Sequence, residues 1–275
     1  MTLMTSLSES FSRKAIFAAV MVTAFAIGAH AEMISIDPID KGLFVSAQPT
    51  LTLYWQGKKS KAVLIFIPGG EGHIGLKEGQ TDHRYQFHQM LKRLTNPSLT
   101  GGRIDVVLFD SPYELSPRQP FPTARGSRDH LTRIESVVRY YGEKTRLPIW
   151  VMGHSNGGIS LTEFVKLLQE ESKANLVAGM IASGVQSETY FNEPLNMPIL
   201  FMHHKQDACP KTTPDASQSI YTKVKEFNKS VTEFAYVTEG RAESGDSCRS
   251  GYHMYFDAGE EAARIIDTFI SKSYQ

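Results

Sequence analysis

The segment that most constrains the fold of this chain lies between residues 147 and 159. A short apolar run, 149–152, leads directly into Gly153-His154-Ser155-Asn156-Gly157, and a helical pattern follows from Ile159 to about Gln169. The G-x-S-x-G pattern alone is a weak signal, but a strand before it and a helix after it are the context that an exposed serine on a tight turn requires. Small neighbours let the strand and the helix approach closely, and amides at the helix N-terminus place partial positive charge beside the serine. The segment therefore predicts a nucleophilic serine suited to acyl transfer.

The rest of the chain alternates strand patterns with helical ones. The continuous apolar run 62–67 is typical of a strand buried on both faces, as in a parallel sheet, and 104–109 is the next buried strand. Strands that alternate with helices over short connections predict an α/β fold, with a mostly parallel central sheet and helices on both faces. The first two strands, on either side of Pro49, are expected to form an antiparallel hairpin. The predicted strands are 43–45, 51–55, 62–67, 104–109, 149–152, 176–182, 198–203 and 232–237, and the predicted helices are 82–94, 128–141, 159–173, 217–228 and 258–271.

Length and charge narrow the classes of function. The chain has 275 residues, of which 29 are basic and 29 acidic, and it contains no long run of one sign. This length suits one large domain, and the balanced charge argues against nucleic acid or another polyanion as the partner. We expect a single domain over residues 32–275, with no cofactor and no metal. The sequence leaves the oligomeric state open.

The first 31 residues have the pattern of a secretory signal peptide. Arg13 and Lys14 precede an apolar run over 15–28, and Ala29-His30-Ala31 follows as a small-residue cleavage site. The apolar run is shorter than the ~18 residues that a membrane-spanning helix needs. The pattern therefore predicts cleavage after Ala31 and an exported protein, periplasmic or secreted, that has no stable membrane anchor.

Taken together, these motifs resemble the α/β-hydrolase superfamily, in particular its exported, esterase-like serine hydrolases. The resemblance covers most of residues 32–275. It implies a catalytic triad in the chain order serine, acid, histidine, with the acid after a late strand and the histidine before the last helix. Asp207 lies shortly after the predicted strand 198–203, and His253 lies between the last predicted strand and the last helix. The expected triad is therefore Ser155, Asp207 and His253.

Other carboxylates and histidines are less well placed. Asp215 and Asp246 remain alternatives to Asp207, whereas Asp110 follows a strand that is too early in the chain. His73, His83 and His88 also lie early, before the serine. Packing is the expected role of His154, His203 and His204.

The oxyanion of an acyl-transfer intermediate needs preorganised N–H donors. One expected donor is the backbone N–H of Asn156, directly after the serine. The family places the second donor in the loop after the strand over 62–67, often with a His-Gly-Gly sequence, where this chain has Pro68-Gly69-Gly70-Glu71. By register the second donor is the amide of Gly70, and the proline leaves Glu71 as an alternative.

Only two cysteines occur, Cys209 and Cys248. In an oxidising compartment they predict one disulfide, with two free thiols as the alternative. A zinc site formed with His203 and His204 is disfavoured because no paired metal-ligand spacing is present. Cys209 lies next to the expected acid and Cys248 lies close to the expected base. We therefore expect the disulfide to organise the active site as well as the fold.

The lengths of the connections after the predicted strands indicate the size of substrate that the site can admit. The chain between Gly184 and Pro198 is too short for a large cap domain, and the proline-rich loop 111–123 is the better candidate for a rim over the site. We expect hydrolysis of a carboxylic ester or thioester of a small acyl substrate through an acyl-enzyme. A serine peptidase or amidase that uses the same triad is the first alternative, and a non-catalytic binding protein on this scaffold is the second.

Overall fold

The computed structural model describes residues 31–40, 45–80, 86–115, 124–192 and 194–274. Its centre is an eight-stranded sheet in the order β1-β2-β4-β3-β5-β6-β7-β8. The strands β3 to β8 run parallel to one another, and β1 and β2 form an antiparallel edge. The strands are β1 (Ala31–Ile36), β2 (Thr50–Trp55), β3 (Ala62–Ile67), β4 (Ile104–Asp110), β5 (Ile149–His154), β6 (Gly179–Ser183), β7 (Ile199–His204) and β8 (Thr232–Val237).

Helices cover both faces of this sheet. On one face, α3 (Arg128–Thr145), α4 (Gly157–Glu170) and α5 (Pro214–Phe227) bury residues such as Ile134, Phe164 and Val224. On the other face, α1 (Gln86–Lys92) and α6 (Gly259–Ser271) bury Phe87 and Ile266, and the short helix α2 (Pro97–Thr100) lies beside α6. Every residue of β3, β4 and β5 is buried, as expected for central strands that are largely apolar. The predicted architecture is confirmed.

The order of the strands fixes where a site can form. The chain leaves β3 for β4 on one side of it and then crosses back to β5 on the other side. In open α/β sheets, ligands bind at such a reversal, in the crevice beyond the carboxyl ends of the strands. The loop after β3 begins at Pro68, and β5 ends directly before Ser155. The two segments predicted to carry the serine and an oxyanion donor therefore lie side by side.

Several predicted elements differ from those observed. The opening hairpin is formed by β1 and β2, in which Ala31 pairs with Trp55, so the prediction of a strand at 43–45 as the partner was wrong. Of that predicted strand, Val45 lies in a bend and residues 43 and 44 are outside the described part. The helix expected to start at residue 217 starts at Pro214, because Thr213 caps it by accepting the Ala216 N–H.

Residues 1–30 of the predicted signal peptide lie outside the described residues, as do 116–123 of the proline-rich loop. Among the described residues, no helix is both long and apolar enough to cross a membrane. The connection between β6 and β7 is too short to form a large cap domain, as predicted.

Candidate active site

Ser155 lies on the turn that joins β5 to α4. Its φ angle is 54°, a left-handed conformation that a residue with a side chain rarely adopts. Its N–H donates to the carbonyl of Ser183 at 3.0 Å, which ties the turn to the end of β6. Such strain is often stored at functional sites, and this strand-turn-helix geometry is that of a nucleophile elbow.

Glycines make the close packing around this turn possible. A Cβ at Gly153 would lie 2.3 Å from the Gly157 carbonyl oxygen, and a Cβ at Gly157 would lie 2.3 Å from the Ile67 carbonyl oxygen. At Gly69, in the loop after β3, a Cβ would lie 3.0 Å from the Ser155 Cβ. The spacing of the G-x-S-x-G pattern therefore reflects contacts between backbones that no larger residue allows.

The predicted acid and base are hydrogen-bonded to each other. Asp207 follows β7, and His253 lies in a short helical turn, Gly251–Met254, before α6. The Nδ1 atom of His253 lies 2.8 Å from Oδ2 of Asp207, and both side chains are buried. The other oxygen of Asp207 accepts the Cys209 N–H at 2.9 Å. This arrangement leaves Nε2 of His253 as the nitrogen available to a reacting group.

His154 places the His253 ring next to the serine turn. The ring of His154, the residue before Ser155, is buried between Phe87 and His253, with centroid distances of 4.0 Å and 4.7 Å. Burial, followed by the neighbouring His253, lowers the pKa of His154 well below its usual value. His154 is therefore neutral and has the packing role that its position predicted.

The charge on Asp207 is stabilised by its partners. Burial alone would raise the pKa of this carboxyl, but hydrogen bonds from His203 and His253 outweigh burial and hold its pKa well below the usual range. The carboxylate is therefore ionised at neutral pH. An ionised carboxylate can orient the imidazole of His253 and stabilise its protonated form.

The alternative acids lie elsewhere. Asp215 is exposed in the first turn of α5, and Asp246 is exposed and accepts the Cys248 N–H. Asp110, at the end of β4, accepts the N–H groups of Ile74 and Leu76. Among these candidates, Asp207 is the one that bonds to His253.

The predicted disulfide is present and joins the two loops that carry this pair. Cys209 and Cys248 are bonded across a separation of 39 residues, with their Cα atoms 4.6 Å apart. Cys209 is buried two residues after Asp207, and Cys248 lies five residues before His253. The bridge therefore links the acid loop to the base loop.

Removing this bridge tests whether it positions the pair. In the Cys209→Ser, Cys248→Ser double variant we expect a loss of about 4 kcal/mol in the free energy of unfolding from loop closure. We also expect reduced turnover under conditions in which the variant is folded, because the acid and base loops are no longer joined. Urea denaturation and turnover per folded molecule measure the two effects. A folded double variant with unchanged turnover would limit the bridge to a role in stability.

The loop after β3 packs against Ser155 at Gly69 and contains the backbone amides expected to donate to the oxyanion. Gly70 has a φ of 56°, and its carbonyl accepts the side-chain amide of Asn156 at 2.9 Å. Among the described residues, the backbone N–H groups of Gly70, Glu71 and Asn156 have no hydrogen-bond acceptor. Gly70 and Asn156, the two predicted oxyanion donors, therefore both have a free N–H, and Glu71 has one as well.

Some residues of the site were not expected from the sequence. His203, predicted to pack, also lies 2.9 Å from Oδ2 of Asp207 through Nε2, while its Nδ1 is 2.7 Å from the Ser217 hydroxyl. The hydroxyl of Thr212 lies 3.1 Å from both Oδ2 of Asp207 and Nδ1 of His253. The four-residue spacing of His203 and Asp207 could have suggested their contact, whereas Thr212 gives no sequence signal. His204, which bonds to the Glu239 carbonyl and stacks on Tyr252, has the expected packing role.

Comparison with known proteins identifies the fold. No family model and no curated protein sequence matches this chain. Solved structures that match include a serine hydrolase without lid from Xanthomonas campestris, with a TM-score of 0.55 and 11% identity over 89% of this chain and 95% of that one. Dienelactone hydrolase from Anabaena variabilis matches with a TM-score of 0.58 and 10% identity over 89% and 98% of the two chains. An esterase from Pyrobaculum calidifontis matches with a TM-score of 0.56 and 17% identity over 89% and 85%.

These matches and the strand order agree. The chain has the α/β-hydrolase fold, and structures similar to it include esterases and a serine hydrolase without a lid.

Proposed function

We propose that this protein is a serine hydrolase that cleaves a carboxylic ester or thioester of a small acyl substrate. The observation that carries the proposal is the buried pair of His253 and Asp207, 2.8 Å apart and packed against the turn that holds Ser155. A serine hydroxyl is a poor nucleophile at neutral pH and needs a base, which in turn needs a group to orient it. The three side chains supply these three roles.

The reaction proceeds in two steps. His253 takes the proton of the Ser155 hydroxyl through Nε2 while the oxygen attacks the substrate carbonyl, and Asp207 holds the imidazole in the required tautomer. The protonated His253 then gives its proton to the departing alcohol or thiol, and an acyl-serine remains. In the second step His253 deprotonates a water molecule, which attacks the acyl-serine; protonated His253 then returns the proton to the Ser155 oxygen as the bond to the acyl group breaks and the acid is released.

The negative oxygen that develops in each step is stabilised by backbone donors. The N–H of Asn156 and the N–H of Gly70, with Glu71 as the alternative to Gly70, have no acceptor among the described residues, and Gly69, beside Gly70, packs against Ser155. Each such donor contributes about 3–4 kcal/mol to transition-state stabilisation in acyl-transfer enzymes. The pairing of two preformed donors with an activated serine supports hydrolysis rather than ligand binding alone.

One feature favours esters over peptides. The short connection between β6 and β7 provides no large domain over the site. The fold similarity does not separate the two activities, because the similar structures include an acylaminoacyl peptidase from Pyrococcus horikoshii as well as esterases and a dienelactone hydrolase. A peptidase or amidase uses the same triad, so the preference for esters rests on this short connection.

We also propose that the protein is exported after removal of residues 1–31, leaving one domain over 32–275. The basic residues, apolar run and Ala29-His30-Ala31 site support this proposal. The Cys209–Cys248 disulfide is consistent with an oxidising compartment.

A panel of substrates tests the proposed activity. The purified protein is assayed on p-nitrophenyl esters of graded acyl chain length, on an acyl thioester, and on peptide p-nitroanilides. We expect hydrolysis of the short esters, with kcat/KM for the best ester at least about 100-fold above that for any anilide; 100-fold corresponds to a barrier difference of about 2.7 kcal/mol. Higher activity on the anilides would support the peptidase alternative, and no hydrolysis of any substrate would contradict the proposal.

A further inference from the structure

Arg125 is a buried cation that joins the loop after β3 to helix α4. Its side chain is 3% exposed. Nη1 donates to the Pro68 carbonyl at 3.1 Å and to the Ser160 hydroxyl at 2.9 Å. Nη2 donates to the carbonyls of Gly69 and Gly70 at 3.1 Å and 3.0 Å. One guanidinium group therefore binds three consecutive carbonyls of the loop that carries the candidate oxyanion donors.

The direction of these carbonyls determines the direction of the loop amides. In a trans peptide the C=O and N–H bonds lie in the peptide plane and point in opposite directions. The Gly69 carbonyl shares its peptide plane with the Gly70 N–H, and the Gly70 carbonyl shares its plane with the Glu71 N–H. Because Nη2 binds both carbonyls, both N–H groups point away from the guanidinium.

From this geometry we infer that Arg125 is a positioning residue that orients the oxyanion hole of the proposed hydrolase. The inference rests on the proposed function. The positioning role applies whether the second donor is the amide of Gly70 or that of Glu71. Arg125 binds the carbonyl of the Gly69–Gly70 peptide and that of the Gly70–Glu71 peptide, so it fixes both planes. The positive charge of Arg125 stabilises the same orientation. The negative carbonyl ends of the two peptide dipoles face the guanidinium, so their positive N–H ends point away from it.

The same arginine connects the two halves of the oxyanion hole. Ser160, which accepts from Arg125, belongs to α4, and the N-cap residue of that helix is Asn156, the first expected donor. The Ser160 hydroxyl also lies 2.9 Å from Nε2 of His130, which is buried. Burial first, and the charge of Arg125 second, lower the pKa of His130 well below its usual value, so this ring is neutral. The guanidinium thus fixes the loop after β3 relative to the helix that carries the other donor.

Arg133 provides a matched control. It is also a fully buried arginine that binds loop carbonyls, those of Ser46 and Gln48, and it forms an ion pair with Asp129. These contacts hold the chain before β2 rather than the loop after β3. Loss of Arg133 therefore removes a comparable set of buried contacts without affecting the amides of Gly70 and Glu71.

The experiment compares Arg125→Met, Arg125→Lys and Arg133→Met on the best p-nitrophenyl ester. Removing a whole oxyanion donor lowers kcat by about 10²–10³-fold, so misorienting one donor in Arg125→Met should lower kcat by about 10–10²-fold with KM nearly unchanged. Arg125→Lys should also lower kcat, but by less than Arg125→Met, because the ammonium keeps the charge but has a single donor atom in place of the two Nη atoms that share these contacts. In Arg133→Met, kcat per active site should stay within about twofold of wild type while the melting temperature falls.

Two further measurements separate positioning from stability. Active sites are counted by fluorophosphonate titration, so that kcat refers to folded, competent molecules. A boronic acid that mimics the tetrahedral intermediate should bind Arg125→Met more weakly by about the same factor as the loss in kcat/KM. If Arg125→Met does not fold, the boronic acid affinity and kcat/KM of Arg125→Lys are compared with those of wild type instead.

The outcomes are distinct. An active wild type whose Arg125 variants keep kcat and boronate affinity, or lose no more than Arg133→Met, would overturn the positioning role alone. A wild type that hydrolyses no ester, thioester or anilide would overturn the proposed function and this inference with it.

Discussion

Ser155→Ala is expected to lower kcat by about 10⁶-fold, the size of loss measured when the serine of a comparable triad is removed. The alanine has no oxygen to form the acyl-enzyme, so only the residual effect of the oxyanion donors remains. Covalent labelling by a fluorophosphonate probe should disappear completely in this variant. In the wild type, peptide mapping by mass spectrometry should place the label on Ser155.

Ser172 provides a close control for this substitution. It is exposed, lies just beyond the far end of α4, and has a φ of 56°, so it shares both the hydroxyl and the left-handed backbone of Ser155. Ser172→Ala should keep full activity and full labelling. If the folded wild type does not label, or labels elsewhere with Ser155→Ala still active, the hydrolase proposal is wrong, and a binding protein on this scaffold becomes the better interpretation.

Asp207→Asn is expected to lower kcat by about 10⁴-fold, because an amide in this place favours the wrong tautomer of the base. The carboxylate accepts from His253, His203 and the Cys209 N–H. An asparagine has a single acceptor oxygen for these donors, and its NH₂ group would face either a ring nitrogen or the Cys209 N–H. Steady-state kinetics on the best ester measures the loss.

A separate substitution tests the assignment of the acid. Asp215→Asn, in the exposed first turn of α5, should leave kcat within about twofold of wild type, as expected for an exposed side chain with no contact to the base. Circular dichroism and the melting temperature show whether each variant is folded. An active Asp207→Asn combined with an inactive Asp215→Asn would move the role of the acid to Asp215.

Much of the fold follows from local patterns in the sequence. The patterns at β3 and β8 predict the bounds of those strands, because β3 is a continuous apolar run that ends at Pro68-Gly69-Gly70 and β8 is rich in β-branched and aromatic residues. The first strand was missed for a physical reason. Ala31–Ile36 follows closely on the apolar run of the predicted signal peptide and lies on the sheet edge, and its pairing with β2 depends on a contact that is distant in sequence.

The sequence predicts the triad residues and the disulfide of the candidate site, but not the residues that support them. Ser155 and Asp207 follow the ends of strands and His253 precedes the last helix, so their chain order indicates them, and the two cysteines indicate the bridge. Arg125 and Thr212 lie in connecting segments and act through backbone carbonyls or hydroxyls. Such contacts depend on the path of a loop in three dimensions, which periodicity does not encode.

The pairing of Ala31 with Trp55 at the sheet edge also bears on the order of events during biogenesis. Peptide bonds within a paired strand are poor substrates for proteases, which act on exposed and unpaired chain. If the leader is removed after Ala31 as proposed, the cleaved bond joins the first two residues of β1. The protease can reach this bond only while β1 is not yet paired with β2. Processing would then precede completion of the sheet, and a precursor that folded first would protect its own leader from removal.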